Sequence, residues 1–78
     1  VMADGAILSP MPGRIIAVEV AAGASVAKGQ KLVTLEAMKM EHSLTAPFDG
    51  IVAELNAEVG VQVSEGALLV RIERADSA

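Results

Sequence analysis

The feature that most limits how this chain can fold is an internal repeat. Residues 23–36 and 60–73 share the spacing G-x-x-V-x-x-G-x-x-L-V-x-[L/I]-E. Residues 10–13, Pro-Met-Pro-Gly, match residues 47–50, Pro-Phe-Asp-Gly, at the same offset of 37 residues and without a gap. Two copies are too few for a solenoid, which needs roughly three or more repeats to bury a continuous core. The repeat therefore predicts two equivalent halves packed about a pseudo-two-fold axis.

The chain is short enough to form one domain over 1–78, with a core over 6–74 and repeat halves at 9–36 and 46–73. A domain of this length buries roughly 60% of the surface that its unfolded chain exposes. Hydrophobic residues make up 53% of the sequence, but no apolar run approaches the ~20 residues of a membrane-spanning helix. No charged segment followed by an apolar stretch marks a signal peptide. We therefore expect a soluble, intracellular protein.

Alternation of apolar and polar residues predicts β-strands in both halves. In the first half, residues two positions apart can share one face of a strand: Ile16, Val18 and Val20, and then Val33 and Leu35. The second half repeats the pattern with Ala53, Leu55 and Ala57, and then Val70 and Ile72. Glycines bound the short loops between these segments. Strands of this length separated by turns predict an all-β fold, either a small antiparallel sandwich or a flattened barrel.

In residues 35–42, the local helix propensity and the internal repeat predict different structures. This stretch is made largely of Leu, Glu, Ala, Met and Lys, so propensity alone predicts a helix. The repeat instead predicts strands at 31–37 and 41–46, which leaves 38–40 in a tight turn. Tight hairpin turns favour Asn-Gly or Asp-Gly, and neither is present here. Departures from a local rule are expected at functional sites, so this turn is a candidate site.

Lys39 lies at the centre of the predicted turn. An isolated lysine is usually a solvated surface charge, and two methionines placed like Met38 and Met40 usually pack. A catalytic lysine needs burial or a neighbouring cation, whereas the charged neighbours of Lys39 in sequence are the carboxylates Glu36 and Glu41. An exposed lysine on a turn is instead suited to acylation by another enzyme, which removes its charge.

Composition argues against several other functions. There is no cysteine and the only histidine is His42, so neither a disulfide framework nor an all-protein zinc site is expected. A net charge of −4 and a single aromatic residue, Phe48, argue against nucleic-acid binding. No acid–base pair, nucleophile constellation or phosphate loop is visible, so we expect no catalytic residue and no metal. We interpret His42 as an exposed strand residue, and Met11 and Phe48 as a matched pair of core residues.

Glu36-Ala37-Met38-Lys39-Met40 resembles the biotinylation motif of biotin carboxyl carrier domains, in which the lysine of Ala-Met-Lys-Met receives biotin. The resemblance extends over about 8–73 and includes the Pro-Met-Pro-Gly segment, the G-x-x-V-x-x-G block and residues 45–50. It implies a flattened β-barrel, or barrel-sandwich hybrid, of two four-stranded antiparallel sheets with pseudo-two-fold symmetry. The chain is most similar to the thumbless carrier domains of acyl-CoA carboxylase α-subunits of the propionyl- and methylcrotonyl-CoA type. Its first half matches its second without the insertion that forms a thumb in other carriers.

This resemblance implies a carrier function. Biotin joined by an amide to Lys39 acts as a swinging arm that takes a carboxyl group from a biotin carboxylase site to a carboxyltransferase site, with an acyl-CoA as the expected acceptor. Met38 and Met40 are then flanking recognition residues, and Ala37 and Glu36 are further candidates for contact. Packing remains an open alternative for the methionines, and an ordinary solvent-facing strand position is the favoured interpretation of Glu36.

The partners implied are a biotin protein ligase, a biotin carboxylase and a carboxyltransferase, without nucleic acid or membrane. We expect a monomeric domain of an ATP-dependent, carbon–carbon bond-forming ligase complex that is not an enzyme by itself. Its expected location is the cytoplasm, or the mitochondrial matrix in a eukaryote.

Two alternatives remain open at this point. The first is a lipoyl-carrier domain of a 2-oxoacid dehydrogenase complex, which has the same fold and a modified lysine. Such domains have Asp-Lys-Ala or a close variant at the turn, whereas this chain has Met-Lys-Met. The second is an unmodified barrel-sandwich module with a structural role. That module would share the Pro/Gly repeat but would have no need of Met-Lys-Met.

Overall fold

A computed structural model of the chain describes residues 5–74, which form eight β-strands. The strands are β1 (Ala6–Leu8), β2 (Gly13–Val18), β3 (Ser25–Val26), β4 (Lys31–Ala37), β5 (Met40–Thr45), β6 (Gly50–Leu55), β7 (Gln62–Val63) and β8 (Leu68–Arg74). One four-stranded sheet has the order β1-β8-β6-β3 and the other β5-β4-β2-β7, and every pairing is antiparallel. Within 5–74 there is no helix of the length and apolarity needed to cross a membrane. The predicted all-β fold of two four-stranded sheets is confirmed, as two separate layers rather than one closed barrel.

The two sheets are built from the same pairings displaced by 37 residues. Arg14 lies opposite Glu36 in the β2–β4 ladder, and Ile51 lies opposite Glu73 in the β6–β8 ladder. The loops also correspond, since residues 19–24 between β2 and β3 equal in length residues 56–61 between β6 and β7. The predicted pseudo-two-fold symmetry is confirmed. The repeat in the sequence is therefore a repeat of the hydrogen-bonding pattern.

A β-bulge in each half changes which residues face the core. The bulge between Ile15 and Ala17 inserts one additional residue into β2. Because an inserted residue shifts the side-chain alternation by one position, Ile15 is fully buried and Ile16 is only half-buried. The same shift in β6 buries Val52 in place of Ala53. The prediction that Ile16 and Ala53 share a face with the residues two and four positions further on is therefore wrong. Those later residues do contact the core: Val18, Val20, Leu55 and Ala57.

The core lies between the sheets and consists of aliphatic side chains. Its buried members are Ile15, Val26, Leu32, Val33, Leu35, Ala46, Val52, Ala57, Leu69, Val70 and Ile72. Burying a Val, Leu or Ile side chain is worth about 1.5–3 kcal/mol, so these residues dominate the stability of so small a domain. Met11 and Phe48 pack at the margin of this core, as their matched positions predict. The Arg74 guanidinium carbon lies 4.2 Å from the centre of the Phe48 ring.

The outer surfaces of the two sheets carry different side chains. On the β6–β8 ladder, Arg71 donates hydrogen bonds of 3.1 Å to Glu54 and of 3.1 Å to Glu73. These bonds, first to Glu54 and then to Glu73, raise the pKa of Arg71 above its ordinary value. The equivalent positions on the β2–β4 ladder are Ala17, Thr34 and Glu36. Within the described residues, the outer surface of that ladder therefore has no arginine bonded to two glutamates at these positions. The symmetry therefore applies to the backbone and the core, and the surface distinguishes the halves.

Candidate functional site

The stretch with helical propensity forms a β-hairpin. Ala37 at the end of β4 pairs with Met40 at the start of β5, so the loop consists of Met38 and Lys39 alone. Their φ angles are 53° and 67°, and positive φ at both central residues is the signature of a type I′ hairpin turn. The predicted hairpin is confirmed, with a turn one residue shorter than 38–40. Cross-strand pairing and burial of Leu35 override the local helix propensity.

The backbone of this turn is strained. Within residues 5–74, Met38 and Lys39 are the non-glycine residues with positive φ; the other positive values belong to glycines. A residue with a Cβ in this region costs about 1–2 kcal/mol, because the Cβ approaches the following carbonyl oxygen. Asn-Gly would form the same turn at a lower cost, because glycine has no Cβ and asparagine tolerates this region. Two long side chains in this conformation make the turn a candidate for a role other than turn formation.

All three side chains at the turn point into solvent. Met38 is 82% exposed and Met40 is 61% exposed, and Lys39 is also exposed. Neither methionine therefore packs into the core, although full burial would stabilise each by about 1.5–3 kcal/mol. Lys39 lacks the burial that a catalytic lysine requires. The tip thus presents a primary amine between two apolar side chains, which suits contact with another protein.

Ala37 has a different position from the rest of the motif. It is 5% exposed and lies directly beneath the turn. A Cβ added to Gly13 would lie 2.6 Å from the Glu36 carbonyl oxygen and 3.0 Å from the Ala37 Cβ, so β2 and β4 approach closely here. Small residues are therefore required at both positions. The Ala37 side chain packs beneath the turn. The limited space there explains why the motif has alanine at this position.

A row of polar side chains crosses the sheet below the turn. Arg14 lies opposite Gln62 on one side and Glu36 on the other, and Glu36 lies opposite Glu41. The Arg14 Nη2 atom is 3.7 Å from the Glu36 Oε1 atom, and both side chains are about half-exposed. An exposed pair at this separation contributes little to stability, about 0–1 kcal/mol. Both groups therefore retain the capacity to bind something else.

His42 is not exposed, and the sequence prediction for it is wrong. It pairs with Leu35, and cross-strand partners lie on the same face of a sheet. Since Leu35 faces the core, His42 is turned inward and is half-buried. Its Nε2 atom is inaccessible to water and has no hydrogen-bond partner within the described residues.

A cleft of about 460 Å³ opens beside the turn. Its lining residues are Pro12, Gly13, Arg14, Glu36, Ala37, Met38, Lys39 and Gln62. It brings Lys39 together with Arg14 and Gln62, two residues that the sequence analysis missed. A signal was available in the repeat, because the equivalents of Arg14 and Gln62 are Ile51 and Ser25. Among residues 5–74, no three acidic or histidine side chains are placed to hold a metal ion.

The other end of the fold has an equivalent of the hairpin strands, but the residues that match the turn lie outside the described range. The partner of the β4–β5 hairpin is the β8–β1 pair, where the Ile72 N–H donates a 2.8 Å hydrogen bond to the Gly5 carbonyl. Asp76, which aligns with Lys39, lies outside the described residues.

Comparison with known proteins gives consistent results. A family model described as "Biotin-requiring enzyme" matches residues 5–72. The mitochondrial propionyl-CoA carboxylase alpha chain of Homo sapiens is 48% identical over 65 residues, which are 83% of this chain and 9% of that protein. The structure of a single-chain, multi-domain long-chain acyl-CoA carboxylase matches with a TM-score of 0.83 and 34% identity, covering 91% of this chain and 7% of that one. This chain therefore spans less than a tenth of either protein.

The lipoyl domain of the 2-oxoglutarate dehydrogenase complex from Azotobacter vinelandii also has this fold. It matches with a TM-score of 0.79 and 24% identity, covering 90% of this chain and 96% of that domain. At that identity the likeness concerns the fold alone.

Proposed function

The chain belongs to the family of biotin-requiring enzymes, and on that premise we propose that it is a biotin carboxyl carrier with biotin held on Lys39 by an amide. One observation carries the proposal: the Lys39 amine stands at the tip of a strained two-residue turn, between two exposed methionines. Acylation of a lysine requires an accessible amine, and this position supplies one. The complete Glu-Ala-Met-Lys-Met string spans this turn and the strand residues on either side of it.

The residues of the chain then position the cofactor and do not react themselves. When bound, biotin supplies the chemistry by carrying a carboxyl group between two separate active sites. Six paired positions of the β4–β5 ladder hold the turn, so the base of the arm is fixed and its freedom lies in the lysine side chain and beyond. Met38 and Met40 offer exposed apolar contact to the enzymes that the arm visits. Within 5–74 we identify no acid–base pair, so the domain by itself is proposed not to be an enzyme.

The partners follow from this role. A biotin protein ligase must reach Lys39, and its exposure permits this. A biotin carboxylase and a carboxyltransferase then share the carrier, whose attachment keeps the local concentration of biotin high at both. We propose an acyl-CoA as the acceptor, because the human relative is named for propionyl-CoA and the matching structure for long-chain acyl-CoA. The human relative is described as mitochondrial; the location of this chain, cytoplasm or mitochondrial matrix, remains a prediction, as does a monomeric state.

The biotin assignment is favoured over the lipoyl alternative. The carboxylases match at 48% and 34% identity, whereas the lipoyl domain matches at 24%. The turn residues also favour biotin, since Met-Lys-Met replaces Asp-Lys-Ala. An unmodified structural module would leave the strained turn and the exposed methionines without a purpose.

The test is biotinylation of the chain in cells that also express a biotin protein ligase and contain free biotin. Streptavidin binding and an intact mass increase of one biotin are expected for the natural chain. Lys39→Arg keeps the charge but cannot form the amide, so it should show neither signal. Lys31→Arg, at an exposed lysine on β4, is the matched control and should label fully. A biotin adduct on Lys39→Arg, or a lipoyl mass on the natural chain, would contradict the proposal.

A further inference from the structure

The two halves share a backbone, so the side chains that differ between them identify what is particular to the Lys39 end. Arg14 on β2 lies opposite Gln62 on β7. The equivalent pair in the other sheet is Ile51 opposite Ser25. The end that carries Lys39 therefore has a cation and an amide. The equivalent positions at the other end have an aliphatic side chain and a hydroxyl. Neither change is required by the fold, because both pairs support the same ladder.

We propose that the cleft beside the turn is a resting site for the ring system of biotin attached to Lys39 of the same chain, with Arg14 and Gln62 recognising the ureido group. This inference rests on the proposed function. Lys39 and Met38 themselves line the cleft, so the tether begins at its edge. Its volume of about 460 Å³ lies within the range of about 300–1,000 Å³ typical of small-molecule sites.

The chemistry of the lining matches that ring system. A ureido group has one carbonyl oxygen that accepts hydrogen bonds and two N–H groups that donate them. Arg14 supplies donors, Glu36 supplies an acceptor, and the Gln62 amide supplies both. The Arg14 Nη2 to Glu36 Oε1 distance of 3.7 Å is beyond hydrogen-bond range, so neither group saturates the other. Pro12 and Met38 add apolar contact for the rest of the ring.

The tether makes a weak contact sufficient. A group on a short flexible linker has an effective concentration on the order of millimolar. A ring with an intrinsic dissociation constant of about 1 mM for the cleft would therefore be bound roughly half of the time. Such a contact shelters the ring between visits and releases it to any partner that binds it more tightly.

The test compares the ¹⁵N-labelled 78-residue chain before and after biotinylation by nuclear magnetic resonance. Loading should shift the Arg14 Nε–H and the Gln62 side-chain amide signals, and should give nuclear Overhauser contacts from biotin ring protons to Met38. The double variant Arg14→Ile/Gln62→Ser, whose new side chains already occupy the equivalent positions, should lose the ring contacts and at least half of the shift at neighbouring backbone amides. Ile51→Ala at the other end is the matched control and should behave like the natural chain.

The outcomes separate this inference from the proposed function. A chain that gains no biotin mass refutes the carrier assignment itself. A chain that is fully loaded by mass, yet changes its signals at 38–40 alone, retains the carrier assignment and overturns the resting site. The comparison of the biotinylated and the unmodified natural chain tests the resting site even if the double variant does not fold.

Discussion

Replacing Met38 and Lys39 together by Asn and Gly should make the domain more stable while abolishing biotin attachment. The φ angles of 53° and 67° cost about 1–2 kcal/mol at each of the two residues, or roughly 2–4 kcal/mol in total. Asn-Gly suits this turn, but the added glycine loses about 0.5–1 kcal/mol of backbone entropy. The expected net gain is about 2 kcal/mol. In a domain of this size, 1 kcal/mol shifts Tm by about 4–8 °C, so Tm should rise by about 10 °C.

Thermal unfolding followed by circular dichroism, with urea unfolding as a second measure, gives the comparison. Gly60→Ala is the matched control, because it adds a Cβ at a residue with positive φ whereas the Asn-Gly variant removes one. The φ of Gly60 is +93° and no atom within 4 Å obstructs an added Cβ, so the substitution isolates the backbone effect and should destabilise the fold by about 1 kcal/mol. An unchanged or lower Tm for the Asn-Gly variant, with unfolding still cooperative, would show that the turn stores no such strain.

Two further predictions concern the bulges and the surface network. Ile15→Val should destabilise the fold by about 0.5–1.5 kcal/mol because Ile15 is fully buried, and Ile16→Val by less than half of that; equal losses in urea unfolding would contradict the assigned inward face. Because hydrogen bonds to Glu54 and then Glu73 raise the pKa of Arg71, its stabilising contribution is fully present below the ordinary pKa of an arginine and is lost only as the pH rises through the higher folded pKa. Arg71→Gln should therefore lower the urea midpoint by a similar amount at pH 6 and at pH 10, and a deficit that vanished at pH 10 would show that the guanidinium is not the source.

The two-sheet fold and the hairpin could be predicted from the sequence, because the repeat shows which distant segments have equivalent structures. Alignment of 32–36 with 69–73 placed a strand where propensity favoured a helix, and the structure has β4 there. The bulges were not predictable in this way, since both halves contain them at the same offset. A bulge that both halves contain leaves no gap when the two halves are aligned. Ile16 and Ala53 are also not residue types that indicate a bulge. Strict alternation therefore misplaced both.

The cleft beside the turn escaped prediction for a different reason. Arg14 and Gln62 are neighbours only because β2 and β7 pair in the second sheet. Nothing in the local sequence of either residue indicates that contact. His42 was misjudged on similar grounds, because its inward orientation follows from its pairing with Leu35 and not from its own neighbours. Lys39 could be found because its signal is contiguous in sequence, whereas the groups around it are assembled by the fold.

The strained turn is held by the ladder beneath it. β5, which carries the outgoing side of the turn, has six residues and forms six paired positions with β4. Each backbone hydrogen bond contributes about 0.5–1.5 kcal/mol, so the pairing next to the turn is of the same order as the roughly 2–4 kcal/mol stored in the turn. The ladder therefore holds Met38 and Lys39 in the left-handed region, and the lysine leaves the domain from a fixed base.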